Sequence, residues 1–365
     1  MLAKKLASAY PWTTSPLVVG APMRVMAGPE LAVAVSAAGG LGFIGPGIKT
    51  SDTASALDQV RGLLVSPSIP ASLQTTTTSK DASFVLPVGV GFQTWNDELK
   101  LAISAIENYK PCAAWLFAPR NGQEEFDSWT QKIREISPKT QIWIQVGTVR
   151  EAVQAAKSRS PPDVLVVQGA EAGGHGRESD GIGLITLLPE VADALRETRI
   201  SLVAAGGISD GRGVAAALCL GAAGIAMGTR FLAATEARIS KGYQNEVVRA
   251  QDGGVSTTRT TLYNKLRGTV GWPDGFSPRT IVNKSWHEHN AGKPFEELKA
   301  LHDEAMKAGD AGWGVEGRLA TYAGAGVGLV HDVKDARDIV VAVRSDAGKI
   351  LKKLQSIQQE FLSIN

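Results

Sequence analysis

Val164-Leu165-Val166-Val167 runs straight into Gln168-Gly169-Ala170-Glu171-Ala172-Gly173-Gly174-His175-Gly176, and the fold is legible outward from that junction. A valine-rich apolar run bounded by glycines reads as a strand buried on both faces, the kind found in parallel sheets. Glycines after it let backbone come close to a flat ligand, and an imidazole with an ordinary pKa near 6.5 exchanges a proton at neutral pH. His175 is therefore a candidate general base. The plainer alternative is a hydrogen-bonded histidine in a glycine turn.

The same pattern repeats on either side. Leu17–Ala21, Leu41–Gly45, Leu86–Phe92, Ala113–Phe117 and Gln141–Val146 read as strands one to five, Val164–Val167 as the sixth, Leu202–Ala205 as the seventh and Gly224–Met227 as the eighth. Helical composition at 28–38, 51–65, 96–109, 122–136 and 149–157 separates several of them. Eight alternations with right-handed crossovers imply a TIM (β/α)8 barrel, an open doubly wound sheet being the alternative. In a barrel the glycine-rich strand ends at 20–23, 91–93, 168–176, 205–207 and 228–229 converge on one mouth, where the active site belongs. The regular pattern breaks near Ala233. Residues 233–314 read as an inserted, mainly helical lid or substrate subdomain on a barrel made of 1–232 and 315–365, with amphipathic closing helices over 333–362. Residues 66–81, with prolines and the run Thr75–Thr78, read as a mobile polar loop.

Composition narrows the partners. Lysine plus arginine is 38 against 36 aspartate plus glutamate, which leaves no strong field for nucleic acid or an anionic membrane. A small-molecule partner is expected. Glycine is 40 of 365 residues, above average usage, and the excess sits at strand ends. Cys112 and Cys219 are far apart, so they read as buried thiols of a reducing compartment. No apolar run approaches the ~20 residues that cross a bilayer, and a soluble, cytoplasmic protein is expected. Gly40, Gly42 and Gly45 match the spacing of a dinucleotide fingerprint, but they lie within an apolar run with Pro46 after it, so close packing is the better reading. His287-Glu288-His289 on a helix points its rings to different faces, and no metal site is expected. Arg120, after the fourth strand, suits an anion at the mouth, although solvated surface is the commoner place for arginine.

Two consecutive loops read as a phosphate cradle, two tight turns being the plainer alternative. Ala205-Gly206-Gly207-Ile208-Ser209-Asp210 ends the seventh strand, with Ser209 or Asp210 placed to cap the next helix, and Met227-Gly228-Thr229-Arg230 ends the eighth. Barrels often bind phosphate between these loops, where backbone N–H groups favour an anion.

Taken jointly, Gly20-Ala21-Pro22-Met23, Gly39-Gly40-Leu41-Gly42-Phe43-Ile44, Gln168 to His175, Ala205-Gly206-Gly207-Ile208 and Met227-Gly228-Thr229-Arg230-Phe231 resemble the nitronate monooxygenase family, formerly the 2-nitropropane dioxygenases. The resemblance covers most of 15–235 and, more loosely, 315–330. It implies an FMN-dependent barrel that oxidises alkyl nitronates with dioxygen to a carbonyl compound and nitrite. By that resemblance Ala21, Pro22 and Met23 lie along the isoalloxazine, and Gly206, Gly207, Gly228 and Thr229 cradle the phosphate. Gly173 and Gly174 approach the ring, Gln168 lies near it, and His175 is the catalytic base. Gln145 stands where many bacterial relatives have lysine beside the pyrimidine side of the ring, and Ala325 where many members have glutamine. Two other readings stay open: an NAD(P)H-dependent quinone or enoyl reductase on the same flavin barrel, and a flavin-free lyase or isomerase of a phosphorylated substrate.

Overall fold

Valine- and alanine-rich runs with no charged residue can be buried on both faces only in a parallel sheet covered by helices, and that is what they form. The computed structural model describes residues 2–78 and 85–364. Its strands are β1 (Leu17–Gly20), β2 (Leu41–Ile44), β3 (Leu86–Gln93), β4 (Pro111–Phe117), β5 (Gln141–Val146), β6 (Val164–Gln168), β7 (Gly174–Arg177), β8 (Ser201–Ala205), β9 (Gly224–Met227), β10 (Thr257–Arg259) and β11 (Phe276–Ile281). Eight of them close a parallel barrel in the order β1-β2-β3-β4-β5-β6-β8-β9, with β9 back on β1 in register Leu17↔Gly224 to Gly20↔Met227. All eight strands read from the sequence are barrel staves, within a few residues of their expected ends.

Aromatic rings fill the barrel. Phe43 packs 5.1 Å from Trp143 and 5.2 Å from Trp115, and Trp115 stacks on Trp143 at 5.7 Å. Trp143 donates its indole N–H to the Tyr10 hydroxyl at 2.8 Å, which satisfies a polar atom in a wholly buried site. Such rings need small neighbours: a Cβ on Gly89 would stand 2.2 Å from Cε1 of Phe43. The glycines at 40, 42 and 45 answer to packing as well. Added Cβ atoms there would meet the Val18 carbonyl at 2.7 Å, the Ala32 carbonyl at 2.0 Å and the Met23 carbonyl at 2.0 Å. Helix Pro29–Ala37 and the chain after β1 lie directly on β2 at these points, so no dinucleotide phosphate turn exists here.

Four sequence expectations are corrected. The glycine stretch after β6 is not all loop: Gly174–Arg177 is β7, which pairs antiparallel with β11, itself paired with β10. No local pattern announces a strand of sequence Gly-His-Gly-Arg; its partner, nearly a hundred residues away, makes it one. Within 66–81, Ala71–Thr78 is helical rather than loop, while 79–84 lie outside the described residues. The closing segment is one helix, Ala336–Ile364, laid against helices Gly211–Cys219 and Pro29–Ala37. It comes so close that a Cβ on Gly211 would stand 2.5 Å from the Ala347 nitrogen. Cys112 is buried, but Cys219, in the last turn of its helix, is exposed. No helix among the described residues is long and apolar enough to cross a membrane.

Residues 233–314 contribute helices Lys241–Arg249, Leu262–Arg267, Lys284–Asn290 and Phe295–Lys307 together with β10 and β11. Through β7 this segment is hydrogen-bonded to the barrel's own βα loop. Arg259 of β10 donates to the carbonyls of Gly174, Ala172, Ala170 and Ser277, at 3.2, 3.0, 3.3 and 2.6 Å, and Arg279 of β11 donates to Ala170 at 3.2 Å. Two guanidinium forks thus hold the carbonyls of Ala170 and Ala172, which lie in the loop before β7, and that of Gly174 at its first residue.

Candidate active site

Strand ends decide where the site is. Ala21, Pro22 and Met23 follow β1, Gln145 lies at the end of β5, and Gln168 closes β6. Gly206 and Gly207 follow β8, and Gly228 and Thr229 follow β9. All of these, with Gly173, Gly174 and His175, border one cavity of about 400 Å³ at the barrel mouth. That volume is within the usual range for a small-molecule or cofactor site. The cavity's charge is one-sided: Arg24 and Arg267 line it, and no aspartate or glutamate among the described residues does.

The loops after β8 and β9 leave donors free. Gly206 and Gly207 sit at φ +102° and +70°, conformations only glycine adopts without strain. The amide N–H groups of Gly207, Gly228 and Thr229 donate to no protein acceptor among the described residues. The first turn of helix Gly211–Cys219 is already satisfied, because Asp210 caps it by accepting from the Arg212 and Gly213 amides at 2.9 and 3.2 Å. Arg230 turns away to Asp332 at 2.8 Å. An anion at this end of the cavity therefore depends on loop amides rather than on a side-chain cation. The Thr229 hydroxyl accepts from the Gly324 amide at 3.0 Å, so the glycine-rich stretch 323–328 closes over the same place. Gly173 is dictated by that closure: its Cβ would stand 2.4 Å from the Gly324 nitrogen.

His175 stands in the opposite wall. Its ring stacks on Trp272 with centroids 3.5 Å apart and planes 5° apart, and Tyr322 lies 6.0 Å away. Nδ2 of Asn264 approaches Nε2 at 3.1 Å. Burial drives its pKa down to about 3, and the guanidinium groups of Arg259, Arg267 and Arg24 push the same way. The ring is thus neutral at any ordinary pH, and a titration near 6.5, expected for an ordinary loop histidine, is displaced by burial.

The sequence matches the family model for nitronate monooxygenase over residues 9–83 and 130–343. The chain belongs to that family. A nitronate monooxygenase of Metarhizium robertsii is 61% identical over 346 residues, covering 95% of each chain. One of Neurospora crassa is 33% identical over 371 residues, covering 96% of this chain and 94% of its own. Among solved structures, FabK from Thermotoga maritima superposes with TM-score 0.71 at 23% identity, covering 97% of this chain and 98% of its own. A nitroalkane oxidase from Streptomyces ansochromogenes gives 0.69 at 23% identity, covering 96% and 99%. At that identity both speak for the barrel alone. Nitronate monooxygenase membership makes the chain an oxidoreductase and implies a flavin, which sets the flavin-free lyase reading aside.

The nitronate monooxygenase site has features that no motif revealed. Trp115 donates its indole N–H to Oε1 of Gln145 at 3.0 Å, so Gln145 has its amide NH₂ left as a neutral donor. Arg24, Asn264, Arg267, Trp272 and Tyr322 were not legible as site residues, and three of these five come from the 233–314 segment. For Trp272 the only sequence signal is that 233–314 holds three of the chain's eight tryptophans. Arg120, offered for the mouth, is exposed; it donates to the Gly271 carbonyl at 2.8 Å and lies over Trp95 at 5.6 Å. A second cavity of about 390 Å³ adjoins the first, and Phe117, Gln145, Gln168 and Trp272 border both.

Proposed function

We propose that the chain oxidises alkyl nitronates with dioxygen to a carbonyl compound and nitrite, with FMN as its flavin. The observation that carries this reading is the cavity itself: unbonded loop amides at one end, two arginines and no carboxylate in its lining, and a neutral His175 in its wall. Gly207, Gly228 and Thr229 would hold the phosphate, supported by Gly206, and the backbone of Ala21, Pro22 and Met23 would lie along the ring. Gln145 and Gln168 supply neutral amides beside it. When bound, FMN supplies the redox chemistry that carries electrons from nitronate to dioxygen.

The chain's own part is to bind, orient and exclude water. Arg24 and Arg267 attract an anionic substrate, and Arg24 has a buried Nε without a protein partner. The stack of His175 on Trp272 fixes the plane of the imidazole in the cavity wall. A histidine whose conjugate acid is as strong as this one is a poor acceptor for the α-proton of a neutral nitroalkane, which suits a substrate that arrives already ionised. The 233–314 segment acts as a lid and substrate subdomain over the barrel of 1–232 and 315–365, supported by the residues it sends to the cavity wall.

Anaerobic addition of an alkyl nitronate to the flavin-replete protein is expected to bleach the flavin spectrum, with recovery and nitrite release on admitting air. Bleaching by NADPH and not by nitronate would move the chain to the reductase reading. Chromatography of the flavin freed by acid denaturation, against FMN and FAD standards, tests the choice of flavin.

A further inference from the structure

The backbone after β1 takes a conformation that its own side chain opposes. Val25 sits at φ +56°, in the left-handed region, where a β-branched residue is an outlier. Four residues other than glycine lie at positive φ among the described residues, Val25, Lys110, Ala118 and Asp252; of these Val25 alone is β-branched and alone borders the cavity. Hydrogen bonds on both sides hold it there. The Val25 amide donates to the Pro46 carbonyl at 2.8 Å, and the Met26 and Ala27 amides donate to the Met23 carbonyl at 3.1 and 2.9 Å. The chain after β2 closes the path from behind, since a Cβ on Gly45 would stand 2.0 Å from the Met23 carbonyl oxygen. Glycine would follow the same path without strain. Core packing does not offset that strain, because Val25 is 39% exposed. A strained residue fixed by its surroundings at the wall of a site points to a use for its side chain. Met26 from the same loop and the exposed Val270 from the 233–314 segment add apolar surface to the same wall.

We propose that Val25 is a specificity residue whose side chain meets the alkyl tail of the nitronate where that tail reaches the mouth of the cavity. This deepens the nitronate reading and rests on it. An alkyl nitronate is an anion with an apolar tail, and the wall matches both parts: Arg24 and Arg267 supply cations, while Val25, Met26 and Val270 supply apolar surface. A short tail gains little from Val25, whereas a longer one covers it. Burying the exposed share of one valine side chain favours the long-chain substrate by roughly three- to sevenfold. Val25 makes and breaks no bond; its whole effect is on binding.

Two chain-length series on the flavin-replete enzyme test this. The first is kcat/KM for ethyl, butyl and hexyl nitronates. The second is Kd, read from the flavin spectrum, for propanoate, pentanoate and heptanoate, planar anions of matching shape that cannot react as nitronates do. Val25→Gly should lower the preference for hexyl over ethyl nitronate, and for heptanoate over propanoate, by roughly three- to sevenfold. Its thermal midpoint should stay unchanged or rise by about 2 °C, since relief of the left-handed strain offsets the freer unfolded chain. Val25→Asn tolerates the backbone and keeps the bulk, yet should lose the same preference because its amide is polar. Unchanged preferences in Val25→Gly overturn the proposal, as does an equal fall for short and long tails. A midpoint lowered by several degrees makes Val25 structural and overturns it as well, and so does a wild-type enzyme with no chain-length dependence in either series. If no nitronate is oxidised, the nitronate reading fails while the carboxylate series still decides on Val25.

Discussion

Replacing Gly228 by valine isolates the phosphate assignment from the fold. Gly228 has φ −105° and ψ −68°, values open to any residue, and a Cβ built there has as its nearest neighbours Sδ of Met23 at 3.7 Å and Cβ of Ala21 at 3.9 Å. The protein therefore tolerates the side chain, and a change from glycine at a compatible site adds roughly 0.4–1 kcal/mol by restricting the unfolded chain. The two methyl groups of valine, by contrast, enter the cavity where the Gly228 and Thr229 amides are unbonded. Hydrogen bonds to a charged group are each worth about 1.5–3 kcal/mol, so losing one or both costs the cofactor ~1.5–6 kcal/mol. At 1.4 kcal/mol per decade, Kd for FMN should rise between about tenfold and ~10⁴-fold. Gly228→Ala should fall between wild type and valine. The assay is fluorescence titration of apoprotein with FMN, alongside the thermal midpoint of the apoprotein. Unchanged or slightly raised apoprotein stability with weakened FMN binding is the expected pair of results. Full flavin retention by Gly228→Val at the wild-type Kd would refute the reasoning. Gly207 is a poorer probe, because at φ +70° any other residue costs about 1–2 kcal/mol of strain whether or not a ligand binds there.

Other outcomes follow from the same geometry. Trp272 borders both cavities, so Trp272→Ala should join them and raise kcat/KM for long-chain nitronates relative to ethyl nitronate; an unchanged chain-length profile counts against a partition. His175→Asn should leave FMN bound, since its anchor lies after β8 and β9, while lowering nitronate turnover; loss of flavin would make His175 structural. The same substitution should lessen acid sensitivity. A histidine held neutral with its pKa lowered to about 3 takes up its proton mainly in the unfolded chain, so its contribution is neutral above about pH 6.5 and increasingly destabilising as pH falls toward 3, a slope that denaturant titrations at several pH values measure. Arg259→Leu removes its donor from the carbonyls of Ala172 and Gly174, while Ala170 keeps Arg279, and should cost about 1–3 kcal/mol with faster amide exchange confined to 169–177; a global loss of protection would point to a wider role.

The barrel was legible because its information is local. A strand buried on both faces in a covered parallel sheet must be apolar along its whole length, so the eight staves stand out in order along the chain, and the twelve candidate positions from Ala21 to Thr229, taken from the family resemblance, border one cavity at their ends. The depressed pKa of His175 was not legible, because it arises from burial under Trp272 and from three arginines that reach it from remote parts of the chain. Nor was β7, whose hydrogen bonds are completed by β11 about a hundred residues later. Composition at 168–176 established that the backbone could come close to a ligand and that an imidazole was at hand. How that imidazole is oriented and how readily it takes a proton depend on Trp272, Asn264 and the surrounding arginines, which come from remote parts of the chain and are brought to it only when the chain folds.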